Sequence, residues 1–174
     1  VKRVHLIAAA LKHTQRKIKW THIGGGDTLS EVLVETGKIG DNVEVDLMGQ
    51  VAHEDVLKWF EENSADVFVN VSSSEGLPVS IMEAFSYGIP AIATAVGGMP
   101  EIVTEDCGVL LEPDFGPKEL ATILEGWDVS NTARRDAALD KQRAEYSSIK
   151  NELKFAVDIA AGIWEVAQFA VMFV

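Results

Sequence analysis

Cysteine is all but missing: Cys107 is the single one among 174 residues, which excludes an internal disulfide framework and any all-cysteine metal site. Positive charge is short as well, with 15 Lys and Arg against 27 Asp and Glu and a net charge of −12. Sequence-independent nucleic-acid binding draws on phosphate neutralisation by Lys and Arg, so no nucleic-acid partner is expected. An unbroken apolar run is lacking too. Residues 155–174 (FAVDIAAGIWEVAQFAVMFV) are interrupted by Asp158, Glu165 and Gln168, whereas a membrane span needs about twenty predominantly apolar residues. That segment reads as a helix packed on the domain or on a neighbour, and an apolar patch of this size favours association between copies. Val1-Lys2-Arg3 leads into a mixed helical pattern and does not read as a signal peptide. Neither an internal repeat nor a low-complexity linker is visible. What is present is a hydrophobic share of 47%, enough for a real core and incompatible with disorder or a collagen-like chain.

The acidity is concentrated. Residues 1–58 hold eight basic and eight acidic residues, and residues 118–174 hold seven and nine. Between them, residues 59–117 hold ten acidic residues and no Lys or Arg. Almost the whole imbalance lies in that stretch.

Helix-like and strand-like segments alternate along the chain. Residues 2–13 place Val4, Ile7, Ala8 and Leu11 on one helical face. Ile18 to Ile23 reads as a strand closed by Gly24-Gly25-Gly26, and Asp27 as the N-cap of a helix that Gly37 ends. Val43 to Met48 is a strand, and His53 to Asn63 a helix with Val56, Leu57 and Phe60 inward. Asp66 to Val71 is the valine-rich run expected of a strand buried on both faces. A helix follows from Pro78 to Tyr87, with Pro at its first position and Gly88 past its end. Pro90 to Thr94 is a strand, Pro100 to Val103 a helical turn, Gly108 to Leu111 a strand and Lys118 to Trp127 a helix. Helix-compatible sequence continues to about residue 154. This alternation predicts an α/β fold, a Rossmann-like parallel sheet with helices on both faces. The chain opens inside a helix with no strand before it, so the first strand–helix unit is expected to be truncated.

The chemistry is expected in Ser72 to Glu83, SSSEGLPVSIME. It leaves a buried strand and opens a helix, so it lies at the carboxyl edge of the sheet, where open α/β folds bind ligands. Backbone N–H groups of Gly76, Leu77, Val79 and Ser80 crowd the positive end of that helix, which suits a phosphate. Gly76 permits a tight turn and close approach of a ligand. Glu75 precedes the turn and Glu83 projects from the second helical turn, so two carboxylates bracket the phosphate position. A ligand with hydroxyls at both ends and phosphate between them fits, which describes a nucleotide sugar.

EGLPVSIMEA followed by GIPAIATAVGGMPEIV resembles the C-terminal half of the family 4 glycosyltransferases, retaining enzymes built from two Rossmann-like domains in the GT-B arrangement. The likeness runs from about Lys2 to Trp127. It implies one half of a GT-B fold: residues 1–130 as a nucleotide-sugar-binding domain and residues 131–174 as a C-terminal helical extension. It implies that Glu75 contacts donor-sugar hydroxyls, that the amides of Gly76 and Leu77 approach the sugar and distal phosphate, and that Glu83 binds the ribose. Lys2 matches the lysine of a basic pair that clamps the diphosphate, its arginine partner being expected upstream, with Arg3 adding positive potential. Gly24 and Gly25 match a glycine-rich turn beside the nucleotide, and Val51, with Gly49, a stretch whose backbone meets the base. Gly97, Gly98 and Glu101 match a GG-x-P-E motif read as mainly structural.

The implied function is donor binding, with a UDP- or GDP-sugar and without a metal, in a hexosyltransferase-type glycosyltransferase of polysaccharide biosynthesis. The acceptor, a glycan or lipid-linked sugar, would be held by a domain N-terminal to this chain. These residues alone are expected to transfer no sugar, and the intact enzyme to be cytoplasmic or peripheral at the membrane. Two alternatives stand beside this: a non-catalytic Rossmann-like binding or scaffold module, and another GT-B-like enzyme such as a sugar-nucleotide epimerase. Bland roles remain for the rest. His53 reads as a cap or surface residue, Cys107 as packing, the four tryptophans as core or seam. His5, His13 and His22 lack metal-like spacing.

Overall fold

The computed structural model describes residues 2–26, 29–76, 78–149 and 169–173. The expected elements appear in order. Helix α1 (His5–Leu11) leads to strand β1 (Ile18–Ile23), α2 (Leu29–Thr36), β2 (Val43–Gly49), α3 (His53–Glu62) and β3 (Val67–Asn70). Then come α4 (Val79–Ser86), β4 (Ala91–Thr94), a single turn α5 (Met99–Ile102), β5 (Gly108–Leu111), α6 (Pro117–Glu125) and α7 (Thr132–Ile149). Pro78 stands at the N-cap of α4 rather than at its first helical position. Asp27, expected to cap α2, lies outside the described residues, as does Leu77.

The strands form one sheet in the order β2-β1-β6-β3-β4-β5, where β6 is Phe169–Phe173. β1 pairs with β2, β3 with β4 and β4 with β5, all parallel, as the α/β alternation predicts. β6 departs from expectation. It runs antiparallel between β1 and β3, joining Ile23 to Phe169 on one side and Val69 to Ala170 on the other. The sheet is therefore mixed, and residues 169–173 are strand where a helix was expected. The reason is local: Phe-Ala-Val-Met-Phe is a five-residue apolar run, and such a run suits a strand buried on both faces as well as a helix. Residues 155–168 of the expected helix lie outside the described residues. Among the described residues no helix is long and apolar enough to cross a membrane.

Both faces of the sheet are covered. Alternate side chains of β3 serve opposite cores, as strand geometry requires. Val67 and Val69 join Ile7, Leu11, Trp20, Leu120 and Leu124 beneath α1 and α6. Phe68 joins Val56, Phe60, Ile81 and Phe85 beneath α3 and α4. Of the residues expected inward on α1, Val4, Ile7, Ala8 and Leu11 are all buried. On α3, Val56 and Phe60 are buried and Leu57 is half-buried. Helix α7 docks on the second layer through the buried Ala138, and Arg135 donates to the Ala65 carbonyl at 3.1 Å and pairs with Asp66 at 2.8 Å. The strand order reverses between β1 and β3, which makes the carboxyl edge there the place where such a sheet opens a crevice.

Candidate functional site

The end of β3 builds the first half of the site. Asn70, its last residue, accepts a hydrogen bond from the Ser72 amide at 3.0 Å and so tightens the exit from the strand. The Asn70 amide then donates to Glu75 Oε1 at 3.2 Å, and the Ser72 hydroxyl donates to the same oxygen at 2.7 Å. Lys2 Nζ completes the set with an ion pair to that oxygen. Burial pushes the Glu75 carboxyl up, but the hydrogen bonds from Lys2 and Ser72, the Lys2 charge and the Asn70 amide outweigh it, leaving Glu75 below the usual carboxylate range. Glu75 is thus an anchored, ionised carboxylate.

What aims Lys2 at Glu75 is its neighbour. Arg3 sits in the left-handed region at φ +46°, uncommon for a residue with a side chain. Its guanidinium donates to the carbonyls of Val71 at 2.8 Å, Ser72 at 3.2 Å and Pro113 at 2.8 Å, reaches Thr94 Oγ1 at 3.4 Å, and lies over the Phe115 ring. Arg3 was expected to add positive potential for a phosphate. Its donors go to the carbonyls of Val71 and Ser72 beyond β3 and of Pro113 beyond β5, and to the Thr94 hydroxyl at the end of β4, so that it staples the chain start to the sheet edge.

The GG-x-P-E motif supports the same turn. Gly97 has φ +54°, and a Cβ built there would lie 1.8 Å from the Glu75 carbonyl oxygen. A Cβ on Gly98 would come within 3.0 Å of the Gly76 carbonyl. The loop after β4 therefore presses on the backbone of the Glu75–Gly76 turn, which leaves no room for a side chain. A Cβ on Gly76 itself would meet nothing within 4 Å among the described residues.

The second half lies at the ends of β1 and β2. Gly24 takes φ +140°, which favours glycine, and its amide donates to the Gly49 carbonyl at 2.8 Å. Gly25 faces Gln50, whose Cβ is 3.6 Å from where a Gly25 Cβ would stand. Val51 follows, half-buried against the core under α3 and α4. The expected glycine turn and the expected base-contacting stretch are therefore neighbours. Two residues on, His53 Nε2 lies 2.8 Å from Glu83 Oε1. Burial pushes the Glu83 carboxyl up, and the His53 hydrogen bond and charge only partly offset this. Glu83 Oε2 is buried without a hydrogen-bond partner among the described residues.

The structure thus ties Lys2 to Glu75, Gly24 and Gly25 to the loop before Val51, and Glu83 to His53. Asn70, Arg3 and His53 were not expected in these roles. Asn70 closes a strand otherwise read as apolar, and its polar type at that position is the one signal a sequence carries. Arg3 and His53 meet their partners across 68 and 30 residues, and no spacing rule reaches that far.

Comparison with known proteins bears on the whole arrangement. The family model described as glycosyl transferases group 1 matches residues 1–126. The amylovoran biosynthesis glycosyltransferase AmsK of Erwinia amylovora is 30% identical over 122 residues, 66% of this chain and 29% of that protein. The sulfoquinovosyl transferase SQD2 of Arabidopsis thaliana is 33% identical over 112 residues, 58% of this chain and 21% of that protein. The chain thus spans less than a third of the length of these two relatives. Among solved structures, Anabaena HepE in complex with UDP-glucose superposes with a TM-score of 0.71 at 22% identity, covering 90% of this chain and 45% of that one. At that identity the likeness speaks for the fold alone, the Rossmann-like α/β arrangement described above. With the family model covering most of its length, the chain belongs to the glycosyl transferases group 1 family.

Proposed function

We propose that this chain is the nucleotide-sugar-binding, C-terminal half of a retaining family 4 glycosyltransferase. The observation that carries the reading is the pair of carboxylates around the start of α4. Glu75 is anchored just before the turn, and Glu83 is half-buried in the second helical turn, its Oε2 buried and unpartnered among the described residues. In this reading Glu75 accepts hydrogen bonds from donor-sugar hydroxyls and Glu83 from the ribose. The diphosphate lies between them, against the amides that open α4, where the helix dipole and unsatisfied N–H groups favour negative charge. Gly76 and Leu77 supply the amides nearest the sugar. The Gly24-Gly25 turn and Val51 border the nucleoside.

Lys2 neutralises part of the charge that develops on the leaving diphosphate, and stabilisation of that kind needs no metal. In the free protein Lys2 pairs with Glu75, so the group that meets the phosphate is held by the group that meets the sugar. Neither glutamate serves as the acid or base of a glycosidase. The UDP-glucose bound in HepE supports a nucleotide-sugar donor, taken here as a UDP- or GDP-sugar, and the amylovoran biosynthesis named for AmsK is in keeping with a glycan or lipid-linked acceptor. The acceptor belongs to a second domain N-terminal to these residues, so the 174-residue chain holds the donor weakly and transfers no sugar.

Calorimetric titration with UDP and with GDP, repeated on Glu83→Ala, tests the reading. Saturable binding that the substitution abolishes supports it. Binding of neither nucleotide overturns it in favour of a non-catalytic module, and sugar transfer by the isolated chain overturns the division of labour between domains.

A further inference from the structure

Glu83 is only half satisfied. His53 occupies Oε1 at 2.8 Å, while Oε2 is buried with no hydrogen-bond partner among the described residues. Buried acceptors are almost always paired, so an orphan on a carboxylate calls for an occupant. The two side chains come from separate elements, His53 from the first residue of α3 and Glu83 from the middle of α4. The imidazole is 44% exposed and the carboxylate 17%. With the carboxylate accepting, Nε2 carries the hydrogen, which fixes the tautomer of a neutral ring.

We infer that His53 is the positioning residue of Glu83: by holding Oε1 it fixes the rotation of the carboxylate and reserves Oε2 as the acceptor for a hydroxyl of a bound ribose. The inference rests on the proposed assignment of Glu83 to the ribose. A carboxylate free to turn about its last bond would present either oxygen, or neither, to the ligand. A carboxylate pushed up by burial also takes a proton more readily once its donor is removed, and the protonated group would donate where it should accept.

The test uses the full 174-residue chain and two probes, UDP and 2′,3′-dideoxy-UDP, with affinities followed by ligand-detected NMR to millimolar concentration. The unmodified chain should prefer UDP by about tenfold, the worth of one net hydrogen bond to a charged acceptor. His53→Ala should weaken UDP by about five- to tenfold and leave the dideoxy compound within about twofold, so that the preference collapses. His53→Gln, which can still donate from the ring's position, should restore most of it, while the shorter His53→Asn should not. A structural role alone would weaken both probes equally. If His53→Ala keeps the preference, the inference is wrong while the ribose assignment stands. If the unmodified chain shows no preference, or binds neither probe, the assignment fails and the inference with it. Should His53→Ala not fold, the contrast between His53→Gln and His53→Asn decides in the same way.

Discussion

Gly97→Ala asks how tightly the site's backbone is packed. The new Cβ would stand 1.8 Å from the Glu75 carbonyl oxygen and 2.9 Å from the carbon that bears it. Both are backbone atoms, so no side chain can swing aside to relieve the contact. Two costs combine. Placing a residue with a Cβ in the left-handed region costs about 1–2 kcal/mol, and forcing a packed region apart costs about 1–3 kcal/mol. A midrange loss of about 3 kcal/mol lowers the melting temperature of a chain this size by roughly 6–12 °C. Relief can come only from displacing the Glu75–Gly76 turn, so UDP affinity should fall as well. The control is Gly76→Ala, one residue beyond Glu75, whose Cβ would meet nothing within 4 Å among the described residues. It should stay within about 0.5 kcal/mol of the unmodified chain, as an exposed substitution does. Differential scanning calorimetry on the three proteins makes the comparison. Equal melting temperatures for Gly97→Ala and Gly76→Ala would refute the close approach of the two loops.

Other perturbations address the remaining parts. Glu75 sits below the ordinary carboxyl range, so its ionised form contributes stability above about pH 4.3, the unfolded value, which is lost as pH falls through its lower folded value. Glu75→Gln should therefore be less stable at pH 7, with the gap closing in acid; a gap independent of pH in urea unfolding would contradict this. Arg3→Met removes the donors from three carbonyls and Thr94, and should cost about 1–3 kcal/mol in the same assay; no loss would mean that the staple adds nothing. Met172 is fully buried in β6, so Met172→Ala should cost about 2–4 kcal/mol. A substitution there without effect on the unfolding midpoint would count against the placement of β6.

Much of the fold was legible because its strands advertise themselves. β3, β4 and β5 are short apolar runs closed by turn residues, and a run of four or five such residues between helices has few alternatives in an α/β chain. β6 was not legible for a related reason. Its apolar residues end a segment whose period does not separate strand from helix, and its partners, β1 and β3, lie more than 90 residues away in sequence. Local pattern cannot name a partner at that distance. The site divides along the same line. Glu75, Gly76 and Glu83 stand in one continuous motif at a strand–helix junction, where geometry follows from order. The groups that hold them do not: His53 reaches Glu83 from another helix, and Arg3 acts through carbonyls that every residue possesses. Spacing reveals which side chains face a ligand sooner than it reveals which side chains hold them still.

β6 has a consequence for how the chain assembles. It is synthesised after every other described element, yet it is the strand through which β1 and β2 are hydrogen-bonded to β3, β4 and β5. During translation the two strand groups can each form early, since their pairings span few residues. They cannot become one sheet until residues 169–173 have left the ribosome. The Gly24-Gly25 turn lies on one group and the Glu75–Glu83 segment on the other. Completion of the crevice between them is therefore a late, long-range event of the slow kind, and until then the exposed edges of β1 and β3 are open to pairing with other chains.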